Sequence, residues 1–568
     1  SAQCHQAALI LLFRLIAIRY LEDRGVLPTQ SGEYRDVSLD LIRLRIEREI
    51  KEGKRPSSTG TGVWQRLRFL FRDVNEGKFG VYLGHKGLES DLFDLDFNTF
   101  YREHPLADSV LYSIVDWICR GSGRALSQID FYDLGIEKIG DVYNELLSLR
   151  LVVDKKGKAV LADSSSKKKE LGSFFTHPRL TQLVSDGVLE YLREQYPDSS
   201  AWLTEITLCD NSCGSGHFIR QLIEDISYEL YASPMNSSTK SGTQRTRSQN
   251  DFRRMLVQHA AYGIDKDINA VWLTKLSLWL QTAEAGKPFV YLDPHIVHGD
   301  SILASVEQPS IAPADKTVIE KKLKRLNQLD SEDKAAVAEA RKLHVEVQAV
   351  LKKYAKKLVP QMSLFDVDKQ ERDNYFLYAT AFPEIFLPVQ GAKGGFTIIA
   401  GNPPWETVKP KVQDFYKMKT GEETPPKRKE LDVWVQASAS RVKEYDAWCE
   451  QIKAYSKAIR NNGYKHQSGE VYTYAYFIER SLQTLQPGGF LAYIVKLGIY
   501  GDHGTAQLRQ YCFRENTLNR MWIFKSNKVG KERLFPRIDP NEKFAVLAVQ
   551  KMKLAKYTLA AKQIVSTD

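Results

Sequence analysis

The chain is sparing with sulfur: its 568 residues include only six cysteines and six methionines. The cysteines (Cys4, Cys119, Cys209, Cys213, Cys449 and Cys512) form no Cys-x-x-Cys pair and no His/Cys spacing of a metal site. Neither a bound metal nor a disulfide framework is expected, and the thiols suit a reducing, cytoplasmic setting. Long apolar runs are missing too. The stretch from Ala7 to Phe13 is followed by Arg14 and then Arg19, so it is too short and too charged to cross a membrane, and no secretory signal is visible. No Gly-x-x-x-x-Gly-Lys-Ser/Thr occurs, which excludes a P-loop motor. What remains is a folded composition, 43% hydrophobic and 26% charged, long enough for roughly two to four domains. The net charge of +10 suits a polyanionic partner.

The most informative stretch is Phe396-Thr397-Ile398-Ile399-Ala400-Gly401-Asn402-Pro403-Pro404-Trp405. Its apolar, β-branched first half reads as a short buried strand. The two prolines cannot continue that strand, because they lack a backbone donor and hold the chain extended. They make a rigid lip at the carboxyl end of a strand, where open α/β sheets place their ligands. The Asn402 amide, the Pro403 carbonyl and the Trp405 ring together suit a flat molecule with an exocyclic amino group, such as adenine.

Earlier in the chain, Ile206-Thr207-Leu208-Cys209 reads as a strand. It turns through Asp210-Asn211-Ser212-Cys213-Gly214-Ser215-Gly216-His217-Phe218 into a helix. The two glycines admit close backbone approach, and the helix amino terminus presents free N–H groups, as a nucleotide-type cofactor requires. The loop is neither Gly-x-Gly-x-x-Gly nor a P-loop, so NAD and ATP are not expected. A strand ending in an acid recurs at Ala261-Tyr262-Gly263-Ile264-Asp265, whose carboxylate can accept both hydroxyls of a ribose. It recurs again at Ile296-Val297-His298-Gly299-Asp300-Ser301-Ile302, which places Asp300 to bond an adenine amino group. Each acid alone could cap the helix after it; three in register before the proline lip are hard to explain that way.

Asp210-x-x-Cys213-Gly214-Ser215-Gly216-x-Phe218 resembles the cofactor motif of adenine methyltransferases, and Asn402-Pro403-Pro404-Trp405 resembles their Asn-Pro-Pro-aromatic motif. The order of the two motifs resembles the γ-type arrangement. Residues 8–25 and 129–147 resemble the helical region that precedes the methyltransferase of type IIG restriction-modification enzymes. The resemblance spans about residues 1–30, 125–150 and most of 170–550, and extends to the BREX and DISARM phage-defence methyltransferases. It implies a Rossmann-like, seven-stranded α/β core that takes S-adenosylmethionine and methylates the N6 amino group of an adenine flipped out of double-stranded DNA. By the same resemblance, Asp210 faces the methionine amino group. Phe175 and Thr176, in Gly172-Ser173-Phe174-Phe175-Thr176-His177-Pro178, lie near the methionine part, and Ser301 joins Asp300 in the site. Phe544 would supply a second aromatic against the base, with Phe535 as competitor. Two departures bear on the loop's shape: Asn211-Ser212 stands where Pro-Ala is usual, and His217 where a small residue is usual.

The absence of a Pro-Cys dipeptide excludes the nucleophile of carbon-5 cytosine methylation. N4-cytosine methylation stays open, although those enzymes more often have Ser at the position of Asn402. Glutamine methyltransferases of release factors share Asn-Pro-Pro but not the cofactor motif, the helical front or the basic insertions. A degenerate methyltransferase serving as a DNA-binding, cofactor-sensing scaffold is the non-catalytic alternative.

The expected organisation is a helical domain over 1–153, a lysine- and serine-rich linker over 154–170, and methyltransferase core over 171–304, 373–407 and 469–568. Two insertions interrupt the core. One, over 305–372, reads as a charged helical hairpin from Val318 to Leu329 and Lys334 to Tyr354, with Asp330-Ser331 as cap and a seam of Ile319, Leu323, Leu326, Leu343, Val347 and Leu351. The other, over 408–468, interleaves Lys409, Lys411, Lys417, Lys419, Lys427, Arg428 and Lys429 with Phe415, Tyr416 and Trp434. Beside the lip, it is expected to contact phosphate and to order on substrate binding. The triplets Glu52-Gly53-Lys54 and Glu76-Gly77-Lys78 are weak echoes of a nuclease site. The chain stops some twenty residues after its presumed last strand, which leaves target recognition and restriction to a partner subunit or to sequence outside the chain.

Overall fold

The computed structural model describes residues 2–75, 101, 103–120, 149–153, 159–163, 176–233, 236, 247–329, 334–358, 376–387, 394–420, 422, 424–525, 528–529, 532–535 and 542–553. The longer helices are α1 (Ala2–Asp23), α2 (Leu39–Lys51), α3 (Gly62–Asn75), α4 (Asp108–Arg120), α5 (Pro178–Gln195), α6 (His217–Ala232), α7 (Gln249–His259) and α8 (Ile268–Thr282), then α9 (Pro313–Leu326), α10 (Lys334–Leu358), α11 (Val412–Thr420), α12 (Arg428–Gln436), α13 (Ala439–Arg460) and α14 (Thr473–Thr484). The strands are β1 (Leu149–Val153), β2 (Ala159–Asp163), β3 (Leu208–Asp210), β4 (Ala261–Asp265), β5 (Ile296–His298) and β6 (Phe396–Gly401), followed by β7 (Leu485–Lys496), β8 (Thr517–Lys525), β9 (Lys528–Val529), β10 (Glu532–Arg533) and β11 (Lys543–Gln550).

Seven strands form one sheet in the order β5-β4-β3-β6-β7-β11-β8. The first five run parallel, and β11 runs antiparallel to both β7 and β8. Both faces are covered, which is why these segments read as continuous apolar runs rather than alternating ones. Along β7, Phe490, Ala492 and Ile494 enter one apolar layer while Leu491, Tyr493 and Val495 enter the other. β11 repeats the split, with Phe544, Val546 and Ala548 on one side and Ala545, Leu547 and Val549 on the other. The first layer is closed by α5, α6, α7 and α8 and continues into the N-terminal helices, where α1 packs on α8. The second is closed by α14 and by the α9–α10 hairpin through Ile319, Leu323, Val347 and Leu351. This is the seven-stranded α/β sheet expected from the sequence.

From β3 the chain moves outward through β4 to β5, then returns to β6 on the other side of β3. The connection order therefore reverses between β3 and β6, and ligands of open α/β sheets bind at such a point, beyond the carboxyl ends of the strands. The two carriers are locked together at their entry. Thr207 and Thr397 exchange bonds, with the Thr207 N–H donating to Thr397 Oγ1 (3.1 Å) and the Thr397 N–H to Thr207 Oγ1 (2.9 Å).

Several expectations are corrected. Residues 154–170 read as linker, but 159–163 form β2, paired antiparallel with β1; the short apolar run Ala159-Val160-Leu161-Ala162 is hidden by its lysine-rich surroundings. The first hairpin helix begins at Pro313 rather than Val318, since proline fits the first helical position. Strand β7 begins at Leu485 and runs through Pro487-Gly488-Gly489, with a register shift against β6 absorbing the irregularity. The α11–α13 insertion has its own apolar core of Val412, Phe415, Tyr416, Leu431 and Val435, with Trp434 packed against it. Phe415 and Tyr416 are thus core residues of the insertion. Residues 129–147, Glu76-Gly77-Lys78 and Asp330-Ser331 lie outside the described residues. Lys54 and Glu52 form an exposed pair at 3.2 Å, and no cluster among the described residues could hold a metal. Among them, too, no helix is long and apolar enough to cross a membrane.

Thr397 is fully buried, so Thr397→Val would leave the Thr207 N–H without its acceptor. The expected cost is about 1–3 kcal/mol in urea denaturation, while Thr397→Ser, which keeps the oxygen, stays near wild type.

Candidate active site: a crevice between the glycine loop and the proline lip

Asp210 ends β3 and turns the chain with its own side chain, Oδ1 accepting from the Ser212 N–H at 3.0 Å. Gly214 and Gly216 both have positive φ, 54° and 76°, a conformation that costs other residues roughly 1–2 kcal/mol. Gly216 has a second reason to be glycine: a Cβ there would lie 3.0 Å from Thr274 Cγ2 of α8. Thr274 in turn donates to the Gly214 carbonyl at 3.0 Å. A Cβ on Gly214 would meet nothing within 4 Å, so the loop is backed by α8 and open on its outer side. Cys213 is buried inside it, its N–H donating to the Ile264 carbonyl at 3.0 Å, and Phe218 is buried in the first turn of α6. Burial raises the Cys213 thiol pKa, so it is a packing residue.

The departure at Asn211 has a structural answer. Its Nδ2 donates to Ser481 Oγ at 3.1 Å, its Oδ1 accepts from the Tyr493 hydroxyl, and its carbonyl accepts from Ser301 Oγ at 2.6 Å. Ser481 and Tyr493 are themselves bonded at 2.8 Å. Three buried polar groups from distant segments thus fix the loop where a proline would otherwise stiffen it. Ser301, expected in the cofactor site, is spent on this brace and is 2% exposed.

Asp265, at the end of β4, accepts from the Gly214 N–H (2.9 Å) and the Asp267 N–H (2.8 Å). Asp300 is also more committed than the sequence suggests. Its Oδ1 accepts from the Ile302 and Leu303 N–H groups at 3.0 and 3.3 Å, and its Oδ2 from the Tyr455 hydroxyl at 2.6 Å. Tyr455 comes from the second insertion, and no local pattern marks it as a partner.

The lip closes the crevice from the β6 side. A Cβ on Gly401 would lie 2.6 Å from Asp210 Oδ1, so the first acid of the loop touches the backbone of the lip. Asn402 follows directly. Its Nδ2 donates to Thr176 Oγ1 at 3.1 Å, and its Oδ1 is buried with no hydrogen-bond partner. Thr176, expected against the cofactor, is a buried orienter of Asn402; Phe175 lies outside the described residues. The Pro404 carbonyl is held by Thr473 Oγ1 at 2.6 Å, whereas the Pro403 carbonyl has no hydrogen bond among the described residues. Trp405 is partly exposed and anchored by Nε1 to the Ile494 carbonyl at 3.3 Å.

Phe544 does not face a base. It is fully buried within β11 and stacks on Trp405 with centroids 6.0 Å apart, a direct contact that admits no third ring between them. Phe535 meets both rings edge-on, at 5.2 Å from Trp405 and 5.0 Å from Phe544. Both phenylalanines therefore support Trp405 from behind, and their expected role is corrected accordingly.

Electrostatics set the site apart from an ordinary turn. Burial pushes the Asp210 carboxyl up to about 7 against the pull of the Ser212 N–H, and the Asp265 charge adds to the rise. Loss of solvation pushes Asp265 up to about 6 despite its two backbone donors. Each raised pKa contributes stability present below the ordinary value of 3.8 and lost as pH rises toward 6 or 7. Asp210→Asn should therefore gain stability relative to wild type as pH rises from 4 to 7, by roughly 1.4 kcal/mol per pH unit, and no further above that. Urea denaturation across that range measures it.

Comparisons with known proteins find likenesses among restriction-modification enzymes. The Eco57I restriction-modification methylase family model matches residues 259–435 and 443–529. The type II restriction enzyme and methyltransferase RM.Eco57I of Escherichia coli is 22% identical over 479 residues, 82% of this chain. The chain spans 37% of that relative's length. Among solved structures, the type IIL restriction-modification enzyme MmeI in complex with DNA aligns with 96% of this chain and 57% of its own, at 13% identity and a TM-score of 0.40. The M protein of the type I enzyme EcoKI aligns with 97% of this chain and 64% of its own, at 11% identity and a TM-score of 0.30. In its matched residues, the chain is similar to the Eco57I restriction-modification methylases.

Proposed function

We propose that the chain is an S-adenosylmethionine-dependent DNA methyltransferase that modifies the N6 amino group of an adenine flipped out of double-stranded DNA. It would act in a restriction-modification or phage-defence system with partner subunits for target recognition or cleavage. The observation that carries this reading is the buried, unpartnered Oδ1 of Asn402, one residue from the backbone contact with Asp210. A buried acceptor left without a donor costs about 1–3 kcal/mol, and an amino group entering the crevice would satisfy it.

The residues fit S-adenosylmethionine. Space lies open over Gly214, two acids stand at the strand ends beside it, and a cationic ligand would return Asp210 to its charged form. Asp210 would take the methionine end, Asp265 the ribose and Asp300 the adenine. The cofactor supplies a methyl already activated on a sulfonium, so the protein's work is positional. Asn402 Oδ1 and the Pro403 carbonyl accept the two hydrogens of the target amino group, which draws its lone pair out of conjugation with the ring. Thr176 holds the Asn402 amide so that its oxygen, not its nitrogen, faces the amine. Trp405, backed by Phe535 and Phe544, offers a stacking face worth roughly 1–3 kcal/mol, comparable to the cost of unstacking a base. Lys427, Arg428 and Lys429 at the start of α12 are exposed, with no ion pair among the described residues, and would contact phosphate.

The reading is tested by incubating the chain with methyl-labelled S-adenosylmethionine and mixed-sequence duplex DNA, then resolving the nucleosides. Label is expected in N6-methyladenine; label in N4-methylcytosine, or cofactor binding without transfer, would contradict it. Asn402→Ala should lower transfer on the order of 10²–10³-fold with cofactor affinity kept, and a wild-type rate would remove Asn402 from the mechanism. Replacing Lys427, Arg428 and Lys429 together by Ala should weaken DNA binding and make the slope of log K against log salt shallower by about one for each phosphate no longer neutralised.

A further inference from the structure

Helix α13 joins two places that the sequence keeps far apart. Toward its start, Tyr445 and Trp448 pack against Phe415 in the insertion's own core, with centroids 5.0 and 5.5 Å apart. Toward its end, Ala458 and Ile459 are buried in the main core, behind the sheet. Tyr455 lies between them and donates to Asp300 Oδ2 at 2.6 Å. The chain leaving α13 then grips the turn after Asp300. Asn462 Nδ2 donates to the Ile302, Leu303 and Ala304 carbonyls at 3.0, 2.7 and 3.2 Å, and the Tyr464 hydroxyl donates to the Ile302 carbonyl at 2.7 Å. Arg480 secures this exit, bonding Tyr464 Oη at 3.2 Å and the Asn462 carbonyl at 2.9 Å.

Asp300 Oδ1 is committed to two backbone N–H groups. Only Oδ2 is left for a ligand, and the Tyr455 hydroxyl occupies it. We propose that Tyr455 is a positioning residue through which the basic insertion and the cofactor compete for one carboxylate oxygen. An amino group arriving at Asp300 displaces the Tyr455 hydroxyl, and α13 is released from the cofactor side while Asn462 and Tyr464 keep its exit attached. Cofactor occupancy is thereby transmitted to the exposed cations of α12 through a single helix. By linkage, any ligand that holds α13 against Asp300 weakens cofactor binding by the same factor. This inference rests on the reading of the crevice as an S-adenosylmethionine site.

The test is calorimetric titration of the full chain with S-adenosylhomocysteine, paired with hydrogen exchange over residues 439–460. Tyr455→Phe leaves a buried carboxylate oxygen without its donor, which the ligand's amino group then supplies, so the variant should bind about tenfold more tightly than wild type. In the Asp300→Asn background the same substitution should change affinity little, because the contested carboxylate is gone. Exchange over 439–460 should rise when ligand binds wild type, and should already be high in ligand-free Tyr455→Phe. Equal or weaker binding by Tyr455→Phe, or unchanged exchange in wild type, overturns the competition while leaving the cofactor site in place. Failure of wild type to bind the ligand at all overturns both.

Discussion

The parallel pairing of β3 with β6 puts a carboxylate against a glycine. Asp210 Oδ1 lies so close to Gly401 that no Cβ could be added there, and every other feature of the crevice follows from that approach. It brings the glycine loop and the proline lip to one opening at the point where the sheet's connections reverse. It also explains why the residue before Asn402 is glycine: Gly401 is needed for clearance rather than for an unusual backbone angle. The exchanged Thr207–Thr397 bonds at the other end of the strands hold this register.

The crevice gathers groups that are unfavourable as they stand. Two carboxyls are held above their ordinary range by burial, and an amide oxygen is buried without a donor. Each is unfavourable alone; a cationic ligand would relieve the carboxyls, and the amino group of a second molecule would relieve the amide oxygen. Polar groups left unsatisfied inside a well-packed fold are a mark of function. The surrounding bonds, from Thr176 to Asn402, Thr473 to Pro404 and Tyr493 to Asn211, keep these groups from relaxing against one another.

Much of this is legible in the sequence, and what is not shares a cause. Acids at strand ends, glycines with positive φ and paired prolines are local signals, because one residue's backbone geometry dictates its type. The seven strands can be read from their apolar runs for the same reason. The brace on Asn211, the orientation of Asn402 by Thr176 and the capture of Asp300 by Tyr455 are pairings across long sequence separations, and no local pattern records them. Phe544 is misplaced by sequence alone because its position at the start of the last strand is legible while its direction is not: register against β7 and β8 turns it behind Trp405. The insertion's own core is hidden because the basic neighbours of Phe415 and Tyr416 mask the helical period that buries them together.

One structure would weigh most directly on the idea of a single crevice: that of the chain with sinefungin, an analogue whose amine replaces the transferable methyl. The account predicts the adenosyl group over Gly214 and Gly216, with the amine directed into the gap between Asp210 and Asn402 Oδ1. Density for the analogue in another cavity, or with its amine turned away from Asn402, would contradict it.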